Sequence, residues 1–249
     1  MVSKHPNHSP PAGAGEATAH HSFGIVEVVV ATICALSVAI PSLLASPESG
    51  GGTVSAPDPL SLALPALLYY AFCFGCAFFC ARQRGLSWRH TFLGYGGQWR
   101  ALGIGGGLGL LMVIPLLAVS IFSFNICSRL GFDTTPQEAF NIFGDEMINK
   151  TTRYTLIFIA TVLAPFAEET VFRGLLLPGL KNHTGSWLRV IILQGLLFGV
   201  IHAHLPTFLP LSIAGVCFGL GYMLTNSLLT PIAMHVAFNA CSLALFMIF

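Results

Sequence analysis

Seven apolar segments follow one another along this chain, and each has the length of a membrane-spanning helix. Crossing roughly 30 Å of hydrocarbon takes about 20 helical residues. The pattern therefore predicts an all-α fold, a polytopic membrane helix bundle with about seven transmembrane helices. The predicted spans are 23–46, 59–80, 101–123, 154–177, 187–203, 206–225 and 228–249.

Composition agrees with a membrane location. Hydrophobic residues make up 54% of the chain and charged residues only 8%, and the mean hydropathy is +0.76. The net charge of +1 provides neither a basic surface for nucleic acid nor an acidic tail. The lipid bilayer is the expected partner, and nucleic acid is not.

The chain contains seven cysteines, six of them within apolar segments, while Cys127 falls in a predicted loop. An odd number distributed in this way does not predict a disulfide framework. Cys73, Cys76 and Cys80 have helical spacing, but no histidine or carboxylate accompanies them in that segment. We expect them to pack as small hydrophobic side chains.

The segments between the helices differ in character. Residues 1–22 are polar, contain four histidines and lack the features of a cleavable signal peptide, so we predict a disordered tail without a defined metal site. Residues 47–58 predict a flexible turn. The longer connection 124–153 predicts a short surface helix around "PQEAFNIFGDEMINK".

Basic residues favour one orientation, because cytoplasmic loops are enriched in lysine and arginine. The loop 81–100 holds four arginines, which predicts a cytoplasmic N-terminus and an outer C-terminus, with the plasma membrane as the expected location. The 124–153 loop argues the other way, since it would lie outside with Arg129, Lys150 and Arg153.

Glycines recur four residues apart in three helices, at Gly105 and Gly109, Gly195 and Gly199, and Gly215 and Gly219. Small residues with this spacing let helix backbones approach closely. Packing within one bundle is the preferred interpretation, since a polytopic chain has many internal contacts. The oligomeric state is left open.

The fourth apolar segment carries charges, in "APFAEETVFRGLLLP" at residues 164–178. An ionisable group at bilayer depth costs about 2.5 kcal/mol or more and usually marks function. Glu169 and Arg173 are four residues apart, so they can form an ion pair along the helix. Glu168 is rotated by about 100° and is expected to face elsewhere.

Few other polar residues lie in the apolar helices, and His202, His235 and Asn239 are the candidates to surround Glu168. Each has an ordinary structural explanation, as a hydrogen-bonding group between helices. Together these groups suit hydrolysis of an acyl bond. The carboxylate would take a proton from water, and the imidazole or amide groups would stabilise an oxyanion. The same groups suit a divalent metal.

Three motifs in successive apolar helices carry a resemblance to a known family. "EETVFR", "FGVIH" and "HVAFN" match EExxxR, FxxxH and HxxxN in order. The region 154–249 resembles the CPBP family of intramembrane proteases, which includes the type II CAAX prenyl endopeptidases and bacteriocin-processing relatives. Residues 23–153 match only as N-terminal transmembrane helices and loops.

The resemblance implies a role for each motif residue. Glu168 would activate the hydrolytic water with help from His202, and His235 and Asn239 would stabilise the oxyanion. Glu169 and Arg173 would support the site. The family has been described both as metal-dependent and as glutamate-dependent. If a divalent metal such as Zn²⁺ takes part, Glu168, His202 and His235 are the expected ligands; the chain lacks an HExxH arrangement.

The expected substrate is a membrane-associated peptide or protein, such as a prenylated CAAX-type protein. Two alternatives stay open. A proton-coupled transporter would use the buried glutamates and histidines as a relay and would contain a water-filled path across both leaflets. A catalytically inactive binding or immunity protein would keep the bundle without the reaction.

Overall fold

A computed structural model describes residues 23–44, 59–85, 87, 97–135 and 149–248. The regular elements within these ranges are all helices, which confirms the predicted all-α class. In chain order they are α1 (Ile25–Leu44), α2 (Pro59–Gln83), α3 (Gln98–Arg129), α4 (Lys150–Thr184), α5 (Trp187–Val200), α6 (Leu205–Thr225) and α7 (Leu229–Ile248).

Some sequence predictions concern residues outside these ranges. They include the disordered tail at 1–22, the turn at 47–58 and most of the segment for which a short surface helix is expected. Arg89, one of the four arginines used for orientation, also lies outside them.

Among the described residues, five helices have the length and hydropathy to cross a membrane, namely α2, α3, α4, α6 and α7. Helix α1 is apolar over Ile25–Ser37, and α5 is apolar but has only 14 residues. At 1.5 Å per residue α5 advances about 21 Å, less than the hydrocarbon thickness. The polytopic membrane bundle is therefore confirmed, and α5 is the shortest of its described helices.

Polar contacts show which helix ends lie on the same side. Arg84, just after α2, forms an ion pair with Glu27 in the first turn of α1, with Nε 2.8 Å from Oε1. Asn182, near the end of α4, donates to the Phe23 carbonyl at 2.6 Å. The beginning of α1 and the ends of α2 and α4 therefore meet at one face, as alternating transmembrane helices require. Which face is cytoplasmic stays a prediction.

Several predicted helix boundaries are wrong, including the end of α4, which lies at Thr184 rather than 177. Helix α3 continues to Arg129 rather than ending at 123, so Cys127 is buried in a helix and not in a loop. Its last turns contain polar residues that the hydropathy pattern assigned to the connection, and Asn125 bonds back to the Ile121 carbonyl at 2.7 Å. Helix α5 ends at Val200 rather than 203, which places His202 in the following turn.

The glycine pairs pack within the bundle. A methyl group added to Gly105 would overlap the Thr230 carbonyl, and one added to Gly109 would overlap that of Met234, so α3 and α7 touch through their backbones. Helices α5 and α6 meet in the same way, and a methyl on Gly215 would lie 3.0 Å from the Gly195 Cα. The intramolecular interpretation of these pairs is confirmed.

Replacing Gly109 by alanine should lower the melting temperature of the purified protein in detergent, because overpacking a close contact costs about 1–3 kcal/mol. Gly107→Ala is the matched control on the same helix, since an added methyl there meets no atom within 4 Å. Alanine also favours helix more than glycine does. Equal melting temperatures for the two variants would contradict the tight α3–α7 contact.

Candidate active site

The two adjacent glutamates lie on an irregular part of α4. The α-helical turn Ala164–Glu169 is flanked by π-helical segments at Ile159–Leu163 and Thr170–Leu176. Such segments frequently occur at functional sites, because they change the direction of side chains along an otherwise regular helix. Here they set the directions of Glu168 and Glu169 in the middle of a 35-residue helix.

Arg173 is fully buried. Its Nη1 donates to Glu169 Oε1 at 2.9 Å, so the ion pair expected from the spacing is present. Its Nη2 donates to the Gly215 carbonyl at 2.7 Å. The guanidinium also faces the rings of Phe172, Phe198 and Phe218, with its central carbon 5.3 to 5.5 Å from their centroids, a cation–π arrangement.

His235 on α7 lies between the two glutamates. Its Nδ1 is 2.9 Å from Glu169 Oε1, and its Nε2 is 4.0 Å from Glu168 Oε2. A carboxylate only accepts hydrogen bonds, so Nδ1 carries the hydrogen that binds Glu169. The expectation that Glu168 faces away from its neighbour is therefore only half right: the two carboxylates point differently, yet they approach opposite nitrogens of one imidazole.

The Glu168 side chain is 15% exposed, whereas that of Glu169 is fully buried. Glu168 Oε2 is buried and makes no direct hydrogen bond within the described part of the chain. A 4.0 Å separation from the imidazole exceeds a direct hydrogen bond, but one water molecule can bridge such a gap. Glu168 is thus the carboxylate able to act on a small reactant.

The turn after α5 holds His202. Its Nδ1 donates to the Phe198 carbonyl at 2.8 Å, four residues earlier, and so satisfies one of the carbonyls that a helix end leaves unpaired. Its ring centroid is 5.1 Å from that of Phe198, which in turn lies 5.7 Å from His235. Phe198 therefore contacts both motif histidines. A water shared by Glu168 and His202 stays a prediction.

Asn239 on α7 donates through Nδ2 to the Ala160 carbonyl at 2.9 Å, in the first π-helical segment of α4. This is the helix-bridging contact that the sequence analysis gave as the ordinary explanation for a membrane asparagine. An amide nitrogen carries two hydrogens, so this bond occupies one of them.

The structure thus brings Glu168, Glu169, Arg173 and His235 into one cluster, and His202 and Asn239 border it. Three participants were missed. Phe218 stacks on His235, with centroids 4.6 Å apart and planes at 21°. Gly215 supplies the carbonyl for Arg173, and Gln194 is a buried amide on α5. Gln194 is polar in an apolar helix, so the criterion that selected His202 also identifies it, whereas the first two give no such signal.

The described side chains of this site do not form a metal centre. No group of three or more histidine, cysteine, aspartate or glutamate side chains within the described ranges has a metal-binding arrangement. The expected ligands Glu168, His202 and His235 therefore do not have the arrangement of a three-ligand centre in this structure.

The fold is that of a polytopic membrane protein with a buried cluster of acidic and basic side chains. Residues 150–241 match the family model described as Type II CAAX prenyl endopeptidase Rce1-like. The matched segment contains all seven motif residues, so the resemblance drawn from the motifs is confirmed.

A curated relative points in the same direction. The chain is 24% identical over 142 residues to the putative membrane peptidase YdiL of Bacillus subtilis (strain 168), which covers 53% of this chain and 54% of that protein. The chain therefore matches about half the length of this relative. No solved structure matches the chain significantly.

Replacing Arg173 by methionine should lower the melting temperature strongly, because Glu169 would stay buried without its cation. Breaking a buried ion pair by removing one partner costs about 3–5 kcal/mol. The double variant Glu169→Gln/Arg173→Met removes both charges and should recover part of the loss. If Arg173→Met were as stable as the parent yet inactive, Arg173 would belong to the substrate site instead.

Proposed function

We propose that this protein is an intramembrane endopeptidase that hydrolyses a peptide bond of a membrane-associated substrate. The observation that carries the proposal is the position of His235 between Glu168 and the ion-paired Glu169. The match of residues 150–241 to a prenyl endopeptidase family supports it.

In this proposal Glu168 is the general base. It takes a proton from water while the water oxygen attacks the carbonyl carbon of the substrate. The carbon–nitrogen bond then breaks, and the protonated Glu168 returns the proton to the leaving amine. A partly exposed carboxylate with a buried oxygen lacking a partner is suited to this exchange.

His235 and Asn239 stabilise the oxyanion that forms on the substrate. Glu169 holds the Nδ1 hydrogen of His235, which fixes the ring so that Nε2–H donates toward the Glu168 side. Asn239 donates with the amide hydrogen that Ala160 does not use. His202, whose Nδ1 is held by Phe198, presents Nε2 as an acceptor that helps to orient the water.

The substrate class follows from the family description and the membrane setting. A prenylated CAAX-type protein brings its own lipid anchor to the bilayer, which suits a site on membrane helices. We propose residues 154–249 as the protease core, with 23–153 supplying helices that enclose it. The plasma membrane and a cytoplasmic N-terminus complete the proposal.

Replacing Glu168 by glutamine should abolish cleavage without preventing membrane insertion or folding, since the change keeps the size of the side chain and removes the proton acceptor. The measurement is cleavage of a panel of membrane-anchored peptides, prenylated and unprenylated, by purified protein in lipid, with and without chelator.

Asp133→Asn is the matched control, because it removes an exposed carboxylate whose hydrogen bonds to described residues are made with Thr135, in the loop after α3. It should cleave like the parent. Full activity of Glu168→Gln would remove Glu168 from the mechanism, and loss of activity with chelator would bring a metal back into it.

Replacing Asn239 by alanine separates its two roles. If Asn239 donates to the oxyanion, the substitution should lower kcat about 10²- to 10³-fold. If Asn239 only bridges α7 and α4, the substitution should lower stability by only about 0.6 kcal/mol. Thermal melting and single-turnover cleavage measure the two effects, and a variant that melts earlier but cleaves at the parental rate would leave Asn239 as a bridge alone.

A further inference from the structure

Gln194 is a buried amide that none of the three motifs contains. It lies on α5, four residues before Phe198 and eight before His202. Its Nε2 donates to the Gly215 carbonyl at 2.8 Å and contacts the carbonyl of Ile191 in its own helix at 3.1 Å. A fully buried amide in an apolar helix is costly unless its position serves a purpose.

The Gly215 carbonyl that Gln194 binds is also the one that Arg173 binds, at 2.7 Å from Nη2. Two side-chain donors therefore converge on one carbonyl oxygen. Gln194 and Arg173 therefore fix the same backbone atom from two helices, α5 and α4. That atom belongs to a third helix, α6.

Tight packing prevents this arrangement from shifting. A methyl group added to Gly219 would lie 2.7 Å from Gln194 Nε2, and one added to Gly215 would lie 2.9 Å from the Phe198 Cβ. The amide is thus held between glycine backbones, and its direction toward the Gly215 carbonyl is set by the close approach of α5 and α6.

Two routes lead from this carbonyl to His235. In the first route, the Gly215 carbonyl fixes the Arg173 guanidinium. The guanidinium binds Glu169 Oε1, and the same oxygen accepts the hydrogen bond from His235 Nδ1. Through α6, the carbonyl fixes the helical turn that carries Phe218, the ring stacked on His235. Both routes act on the orientation of one imidazole, and neither involves direct contact between Gln194 and that ring.

We propose that Gln194 is a positioning residue for the His235 imidazole, acting through the Gly215 carbonyl, Arg173 and Glu169. The inference rests on the proposed function for its effect on catalysis, while its effect on the ring itself does not depend on any reaction.

The test combines cleavage kinetics with ¹⁵N NMR of histidine-labelled protein in nanodiscs, with His235 assigned by the signal lost in His235→Gln. Gln194→Met keeps the length of the side chain and removes the donor. We expect the ¹⁵N signal of His235 Nδ1, the nitrogen hydrogen-bonded to Glu169, to shift from its parental position. We expect kcat to fall about 10-fold, the effect of one lost hydrogen bond, with KM unchanged.

Val190→Ala is the matched control, because Val190 is fully buried on the same helix, one turn earlier, in a different apolar cluster. It should lower the melting temperature and leave the His235 signals and kcat as they are. Gly219→Ala is the second variant, since its methyl displaces the Gln194 amide without changing it. It should reproduce the change of the His235 Nδ1 signal even if Gln194→Met does not fold.

If Gln194→Met folds and keeps the parental His235 signals and kcat, Gln194 is only a packing residue. If Gln194→Met does not fold, parental His235 signals in Gly219→Ala lead to the same conclusion. If the parent protein cleaves no peptide, the proposed function fails, but the comparison of His235 Nδ1 signals still decides the role of Gln194.

Discussion

The arrangement of the bundle centre depends on one carboxylate. Glu169 is fully buried and binds both Arg173 and His235 through Oε1. In a low-dielectric interior such a charge persists only with strong partners, so three helices must meet to supply them. Helix α4 gives Glu169 and Arg173, α7 gives His235, and α6 gives the Gly215 carbonyl that accepts a hydrogen bond from Arg173. The glycine contacts of α3 with α7 and of α5 with α6 provide the close packing that keeps these helices in register.

This dependence divides the labour between the two glutamates. Glu169, with no exposed surface, cannot exchange protons with a reactant without unbalancing the ion pair. Glu168, partly exposed and with an oxygen that lacks a direct partner among the described residues, is available for that purpose. The His235 imidazole lies between them, bonded to Glu169 and 4.0 Å from Glu168. Adjacent positions in sequence thus obtain different chemistry from different burial.

Much of the fold was predictable because lipid imposes a simple rule of length and hydropathy, which located each helix to within a few residues. The Glu169–Arg173 pair followed from helical spacing alone. The rest depends on tertiary geometry. The π-helical segments beside the glutamates have no sequence pattern that we used, and the Phe218 ring on His235 is one phenylalanine among 20. The end of α5 before His202 was hidden because apolar residues continue past the last helical turn.

The shortness of α5 has a consequence for the surrounding lipid. Its 14 residues reach about 21 Å, so the bilayer beside it is mismatched by several ångströms. Lipid accommodates a short helix by thinning locally or by drawing polar groups inward, at a cost of a fraction of a kcal/mol per ångström. On the flank of the turn that holds His202, the lipid beside α5 would therefore have to thin or admit polar groups. In the proposed hydrolysis, such thinning would bring water, the second reactant, closer to that side of the bundle.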